Sequence, residues 1–303
     1  MKKEIIILLM IIFVVSCKPD TNGKQPSDNF RTGTQGLTLN FLPNTPPSRI
    51  YDQDKLHVQI EIKNLGAFNV GNTDLEKIYL SGFDTNIITQ IPPGGKTITK
   101  MQGKDAFNLQ GGVDIVSFES TINLENADRY NPTILATACY QYETQASENV
   151  CIDPQPFTST ARAKSCIPRN LGLGSQGAPV AVSSVDVEPR PGRTDFRIQI
   201  SNVGSGDVFR LENNGLSKCN PQQGLNTFED INYVSVQDIF VGQDSIKDSC
   251  NPKGELRLIN GRATLYCNYP VQGSDAYTST IKVILKYGYR TTIQKTIEIV
   301  KTT

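Results

Sequence analysis

Seven cysteines and a single histidine are the residues of this chain with the widest chemical reach. Zinc sites usually draw on close Cys or His pairs. No Cys-x-x-Cys occurs here and His57 is the only histidine, so no metal site is expected. Set beside a signal sequence, Cys139, Cys151, Cys166, Cys219, Cys250 and Cys267 read instead as three disulfides. His57 would have to serve any Ser-His-Asp or Cys-His centre. It falls inside an alternating segment on the parity of Gln59 and Glu61, the wet face of a strand, with no partner motif. Three acidic groups, Asp52 with Asp54, Glu125 with Asp128 and Glu229 with Asp230, lack a calcium-loop pattern and read as turn residues. Gly94-Gly95, Gly111-Gly112 and Gly204-Ser205-Gly206 open no helix carrying a following Lys-Ser/Thr, so they imply turns and no phosphate loop. No catalytic residue and no cofactor are expected. Paired carboxylates for glycoside hydrolysis act at a spatial separation, which leaves that chemistry open at this level.

The seventh cysteine stands apart. Lys2 and Lys3 precede an apolar run over residues 5–15, too short for a permanent span of about 20 residues but suited to a signal-peptide core. The run ends in Val14-Val15-Ser16-Cys17, which resembles the lipobox of prokaryotic lipoproteins. That resemblance implies a diacylglyceryl thioether on Cys17, cleavage just before it, and a chain held on the outer face of the cell membrane. Two acyl chains hold a protein stably where one is marginal. Residues 17–35 follow as a polar tether rich in Asn, Gly, Gln, Ser, Thr and Pro, expected to stay flexible.

Lys plus Arg and Asp plus Glu number 30 each, without long charge runs. This argues against a nucleic-acid partner and against a polybasic membrane patch. The part after the tether is rich in Thr, Val, Ile and Tyr and punctuated by Gly and Pro, the composition of an all-β protein. It also repeats. Ile60-Glu61-Ile62-Lys63-Asn64-Leu65-Gly66 matches Ile198-Gln199-Ile200-Ser201-Asn202-Val203-Gly204 at an offset of 138 residues. Thr133-Ile134 leading to Tyr140-Gln141-Tyr142 matches Thr280-Ile281 leading to Tyr287-Gly288-Tyr289 at 147. In each copy apolar residues alternate with polar ones, then Asn-x-Gly supplies residues that tolerate left-handed angles at a turn. The repeated tyrosines suggest a shared packing role.

Further strands are expected at 37–41, 77–80, 96–100 and 113–122 in the first copy. In the second they are expected at 180–187, 233–240, 255–259 and 263–268, with Asn260-Gly261 as a hairpin turn. Thr291-Thr292 breaks the closing run before a last strand at 296–300, completing a hairpin. About seven short strands per copy is the pattern of tandem immunoglobulin-like β-sandwich domains. The organisation is therefore a signal peptide at 1–16, a lipidated tether at 17–35, a first domain at 36–160, a linker at 161–178 and a second domain at 179–303. Asn-x-Gly between strands, and Ile91-Pro92-Pro93-Gly94-Gly95 before another, resemble the CARDB type of adhesion-related sandwich. The chain as a whole resembles uncharacterised archaeal surface proteins through Leu80-Ser81-Gly82-Phe83-Asp84, the paired tyrosines and Ala178-Pro179-Val180. These likenesses imply a fold and an exterior location.

A turn at residues 145–148 would make residues 139–151 a hairpin and set Cys139 opposite Cys151. The Asn260-Gly261 turn does the same for Cys250 and Cys267, and leaves Cys166 with Cys219. The function expected is non-catalytic: structure, adhesion or binding at the surface, with the membrane as one partner through the lipid and a surface protein or glycan as another. An accessory subunit of an envelope complex is the alternative, and a divergent hydrolase a third.

Overall fold

The computed structural model describes residues 30–124, 127–158, 164–225, 227–271 and 273–302. The signal peptide, Cys17 and the first part of the tether lie outside them. The described chain is nearly all β, arranged in several antiparallel sheets. The first half contributes β1 (Leu37–Phe41), β2 (Arg49–Tyr51), β3 (Lys55–Asn64), β4 (Lys77–Ser81) and β5 (Ile88–Thr89). It continues with β6 (Lys96–Thr97), β7 (Val113–Ile122), β8 (Arg129–Tyr130) and β9 (Thr133–Ile152). The second half holds β10 (Leu171–Gly172), β11 (Val180–Arg190), β12 (Arg193–Asn202), β13 (Asp207–Phe209) and one short helix, α1 (Gly215–Lys218). After these come β14 (Tyr233–Val241), β15 (Asp244–Ser245), β16 (Glu255–Arg257), β17 (Arg262–Pro270), β18 (Tyr277–Thr296) and β19 (Glu298–Val300).

Two four-stranded sheets, β1-β3-β7-β5 and β10-β11-β12-β17, belong one to each half. A larger sheet, β15-β14-β18-β9-β4-β6, runs through both. Its centre is the pairing of β9 with β18, in register along all 20 residues of each, from Thr133↔Thr296 to Ile152↔Tyr277. Period-two burial explains the length. Ile134, Ala136, Ala138, Tyr140, Tyr142, Thr144, Ala146, Val150 and Ile152 are buried along one face of β9. Ile281, Val283, Leu285, Tyr287 and Tyr289 do the same on β18. Most of the buried apolar side chains form one cluster that extends across both halves, from Leu37 to Ile299.

Two expected hairpins give way to this pairing. Residues 145–148, Gln-Ala-Ser-Glu, hold no Gly, Pro, Asn or Asp, and Ala146 carries the buried parity straight through. Thr291-Thr292 likewise continues β18, because both residues still pair with β9. The last strand then joins a separate sheet, β2-β19-β8, lying parallel to β2 and antiparallel to β8 of the first half. The Asn260-Gly261 turn does form, with both residues at positive φ and Ile259 and Arg262 bonded across it. Its flanking strands part at once, β16 to β14 and β17 to β12. Residues 96–100 are strand only at Lys96–Thr97. The connecting segment takes part in the sheets: β10 pairs with β11, and Gly177 bonds to both Gly33 and Ala67.

Candidate functional site

The repeated motifs meet at the centre of the molecule. Tyr142 lies opposite Tyr287 and Tyr140 opposite Tyr289 in the β9–β18 register, and all four rings are buried. Ring centroids 5.9 to 6.4 Å apart at tilted or edge-on angles make a single aromatic cluster. Each phenol needs a partner once buried, and the partners repeat. Tyr142 donates to Asn64 Oδ1 (3.2 Å) and accepts from the Phe68 amide (3.3 Å). Tyr289 donates to Asn202 Oδ1 (3.3 Å) and accepts from the Gly206 amide (2.8 Å). The two asparagines donate in turn to the carbonyls of Phe68 (2.7 Å) and Gly206 (2.9 Å).

The second pair crosses between halves. Tyr140 Oη accepts from the Leu37 amide (3.0 Å) and shares a hydrogen bond with Thr291 of the second half (3.2 Å). Tyr287 Oη accepts from the Val180 amide (3.2 Å) and shares one with Thr144 of the first half (2.9 Å). Thr144 and Thr291 were missed as functional positions. The signal was present, because each copy reads Tyr-x-Tyr-x-Thr. Burial pushes the Tyr140, Tyr142 and Tyr287 phenols far above their ordinary range and holds Tyr289 at about 12.

The glycines of Asn-x-Gly have a different job from the one expected. Neither Gly66 nor Gly204 has positive φ. A Cβ on Gly66 would instead overlap Tyr142 Oη, and one on Gly204 would overlap Tyr289 Oη. The tyrosine hydroxyl occupies the side-chain position. Gly288 serves similarly on the other face, where the Phe209 ring lies against it.

The cysteines pair as Cys139–Cys219, Cys151–Cys166 and Cys250–Cys267. Only the last matches expectation, and its position follows from an isolated bridge between Asn251 and Tyr266. The Cys139–Cys151 and Cys166–Cys219 pairings are overturned by the continuity of β9. Twelve residue steps of extended strand separate Cys139 from Cys151 by roughly 40 Å. Cys139 faces away from the main core, into a smaller cluster with Tyr79, Phe209, Leu216 and Cys219, and ties β9 to the end of α1. Three disulfides suit an oxidising, extracytoplasmic compartment. No helix among the described residues is long and apolar enough to cross a membrane.

The remaining sequence candidates disperse. His57 is exposed beside Glu119, its cross-strand neighbour, at 3.6 Å. Asp52 accepts from the amide and hydroxyl of Thr302, which hold its pKa down, and Asp54 accepts from the Tyr51 amide. Asp230 is buried and paired with Lys218 (3.0 Å). Glu125 lies outside the described residues. Among the described residues no three His, Cys, Asp or Glu side chains are placed to hold a metal ion. Glu76, fully buried, clamps its own loop by accepting from the Gly71 (2.7 Å) and Asn72 (3.3 Å) amides, and burial raises its pKa.

One surface groove combines shape with varied chemistry. It measures about 460 Å³ and lies on the outer face of β11, β12 and β17. Exposed Tyr266 lies across the sheet from Arg197, which is bonded to Asp186 (2.8 Å), while Asn251, Asn268 and Ser249 form the far wall. This groove was missed because its residues come from three separated segments, joined only by pairing and by Cys250–Cys267. No family model matches the chain, and no similar curated protein is found.

Proposed function

We propose that this protein is an exported surface lipoprotein, anchored through Cys17, that presents a rigid, non-catalytic binding head. The head is read as two immunoglobulin-like sandwich units. Strands β1-β3-β7-β5 opposite β4 and β9 follow the ABED and CF order of a constant-type sandwich. In each half the place beside the long strand, where a seventh strand would pair, is taken by the long strand of the other half.

The observation that carries the binding role is the groove around Tyr266. An apolar ring surface ringed by planar amides, a guanidinium and carboxylates suits a polar, ring-bearing ligand such as a glycan. Its charges are largely paired with one another, Arg197 with Asp186 and Arg190 with Asp195 (2.7 Å), which supports recognition by hydrogen bonding over charge. Binding of the purified protein to arrays of cell-surface glycans, repeated with Tyr266→Ala, tests the reading. Signal lost in the variant supports it. Equal signal from both proteins, or none from either, counts against a groove ligand of this class. Mass analysis of the N-terminal peptide tests the anchor separately, through the presence or absence of lipid on Cys17.

A further inference from the structure

We propose that the loop at residues 103–112 is a membrane-contact element, with Phe107 and Leu109 entering the interfacial layer of the lipid bilayer. This rests on the reading of Cys17 as lipidated. The starting observation is exposure: Phe107 is 100% exposed and Leu109 62% exposed, and Val113 and Ile115 extend the apolar surface along the outer side of β7. Isolated exposed apolar side chains are ordinary, but four within nine residues form a patch that asks for a cover.

The backbone holds these side chains outward. Asp105 Oδ1 accepts from the amides of Phe107 and Asn108, both at 2.7 Å, and the Asp105 amide donates back to the Asn108 carbonyl (3.0 Å). Asn108 Oδ1 then accepts from Gln110 (3.2 Å) and Gly111 (3.1 Å). Two nested side-chain caps thus fix the loop on either side of Leu109.

What points to lipid as the cover is where the chain enters. The base of the loop touches the first described residues: Lys104 Nζ donates to the Thr32 carbonyl, and the Lys104 amide donates to the Gly66 carbonyl. Twelve residues lie between Cys17 and Phe30, and even fully extended these thirteen steps span at most about 45 Å. A bilayer carrying the Cys17 lipid therefore lies within reach of the loop. Lys104 sits at the loop's base with its ammonium on the Thr32 carbonyl, and exposed Lys100, four residues upstream, is a cation suited to headgroup phosphates. The corresponding turn of the second half is built on the same bond, Asn202 N to Gly261 O (2.8 Å) beside Asn64 N to Gly112 O (2.9 Å). It carries one exposed apolar residue, Ile259, and serves as the comparison site.

The chain has no tryptophan, so one introduced indole reports without background. Full-length Phe107→Trp and Ile259→Trp proteins, purified from membranes with the Cys17 peptide weighed for lipid, would be placed in phosphatidylcholine–phosphatidylglycerol vesicles with brominated acyl chains. The expected result is loss of about half or more of the fluorescence at position 107, as for a side chain 5–10 Å into the interface, with position 259 unaffected. A lipidated protein whose position 107 stays unquenched overturns the proposal while leaving the anchor intact. If position 107 is unquenched by bromine yet shielded from acrylamide, a second copy of the chain covers the loop and the proposal is overturned. Absence of lipid on Cys17 removes the anchor reading and the proposal with it. Phe107→Ser/Leu109→Ser should keep the melting temperature, since neither side chain is packed. A large drop would assign the loop to the fold and also overturn the proposal.

Discussion

The two long strands end alike and are fastened differently. Counting from the tyrosines, Cys151 near the end of β9 corresponds to Glu298 just past the end of β18, and Ile152 to Ile299. Both isoleucines are fully buried against the opposite half. Cys151 is then bonded covalently to Cys166 in the connecting segment. Glu298 is held by Arg49 (2.6 Å) and Arg129 (3.3 Å) of the first half. The seam repeats bond for bond in the two halves, while the fastenings, the disulfides and the surface loops do not. The interior of a duplicated unit is tied to its partners by packing. The periphery is free to differ, and the groove and the Phe107 loop are both peripheral.

The largest effect that would test the seam comes from alkali. The four buried phenols have folded pKa values above the value of 10.0 expected in the unfolded chain. Their contribution to stability is therefore complete below pH 10 and is lost as pH rises toward and past about 12, where Tyr289 ionises in the folded state. Phenolate absorbance from these four should appear together with loss of circular dichroism. An earlier, separate rise from any of them would show that the seam opens locally.

Removing Cys139–Cys219 comes next. Its ends are 80 residues apart and join the two halves, so paired Ser substitution should cost about 4–5 kcal/mol in urea unfolding. For the strand ends, Cys151→Ser/Cys166→Ser should cost about 3 kcal/mol, from a loop of 15 residues. Glu298→Gln should cost about 1 kcal/mol or less, because both arginines are solvent-exposed. Equal losses at the two ends would mean that the covalent and ionic fastenings are equivalent, and the comparison would fail. Between these lie Gly66→Ala and Gly204→Ala, each about 1–3 kcal/mol from overpacking against a tyrosine hydroxyl. The larger loss is expected at Gly66, where the added Cβ would also meet the backbone carbonyls of Gly177 and Gln35, while at Gly204 it would meet only side chains. Adding Tyr142→Phe to Gly66→Ala should recover part of the loss.

What could be read in advance follows the range of the interactions. Alternation along β3, β7, β12 and β18 is local, and those strands form where the apolar parity runs. Asn-x-Gly and Tyr-x-Tyr announced themselves by repetition. That Tyr142 fills the space over Gly66, 76 residues away, is a tertiary contact which no local pattern encodes. The same holds for β9 against β18: the strand has no break of its own, and its partner begins 125 residues after it ends. Two of the three disulfide pairings failed for this reason: Cys139–Cys151 was inferred from a hairpin, whereas β9 runs on and carries its two cysteines to the end of α1 and to the connecting segment. The Tyr266 groove needed the same long-range register. Phe107 and Leu109 gave no periodic signal, since a loop has none.

The reciprocal pairing of β9 with β18 has a consequence for the order in which the chain is made. At 5–20 residues per second, the 124 residues between the two strands take roughly 6 to 25 s to emerge. Over that time the first half exists with a twenty-residue strand whose far side is bare, an edge able to pair with any passing chain. Neither half can reach its final state ahead of the other. Completion of the shared sheet is therefore a late event, and any factor that escorts the nascent protein would have to shield β9 until β18 arrives.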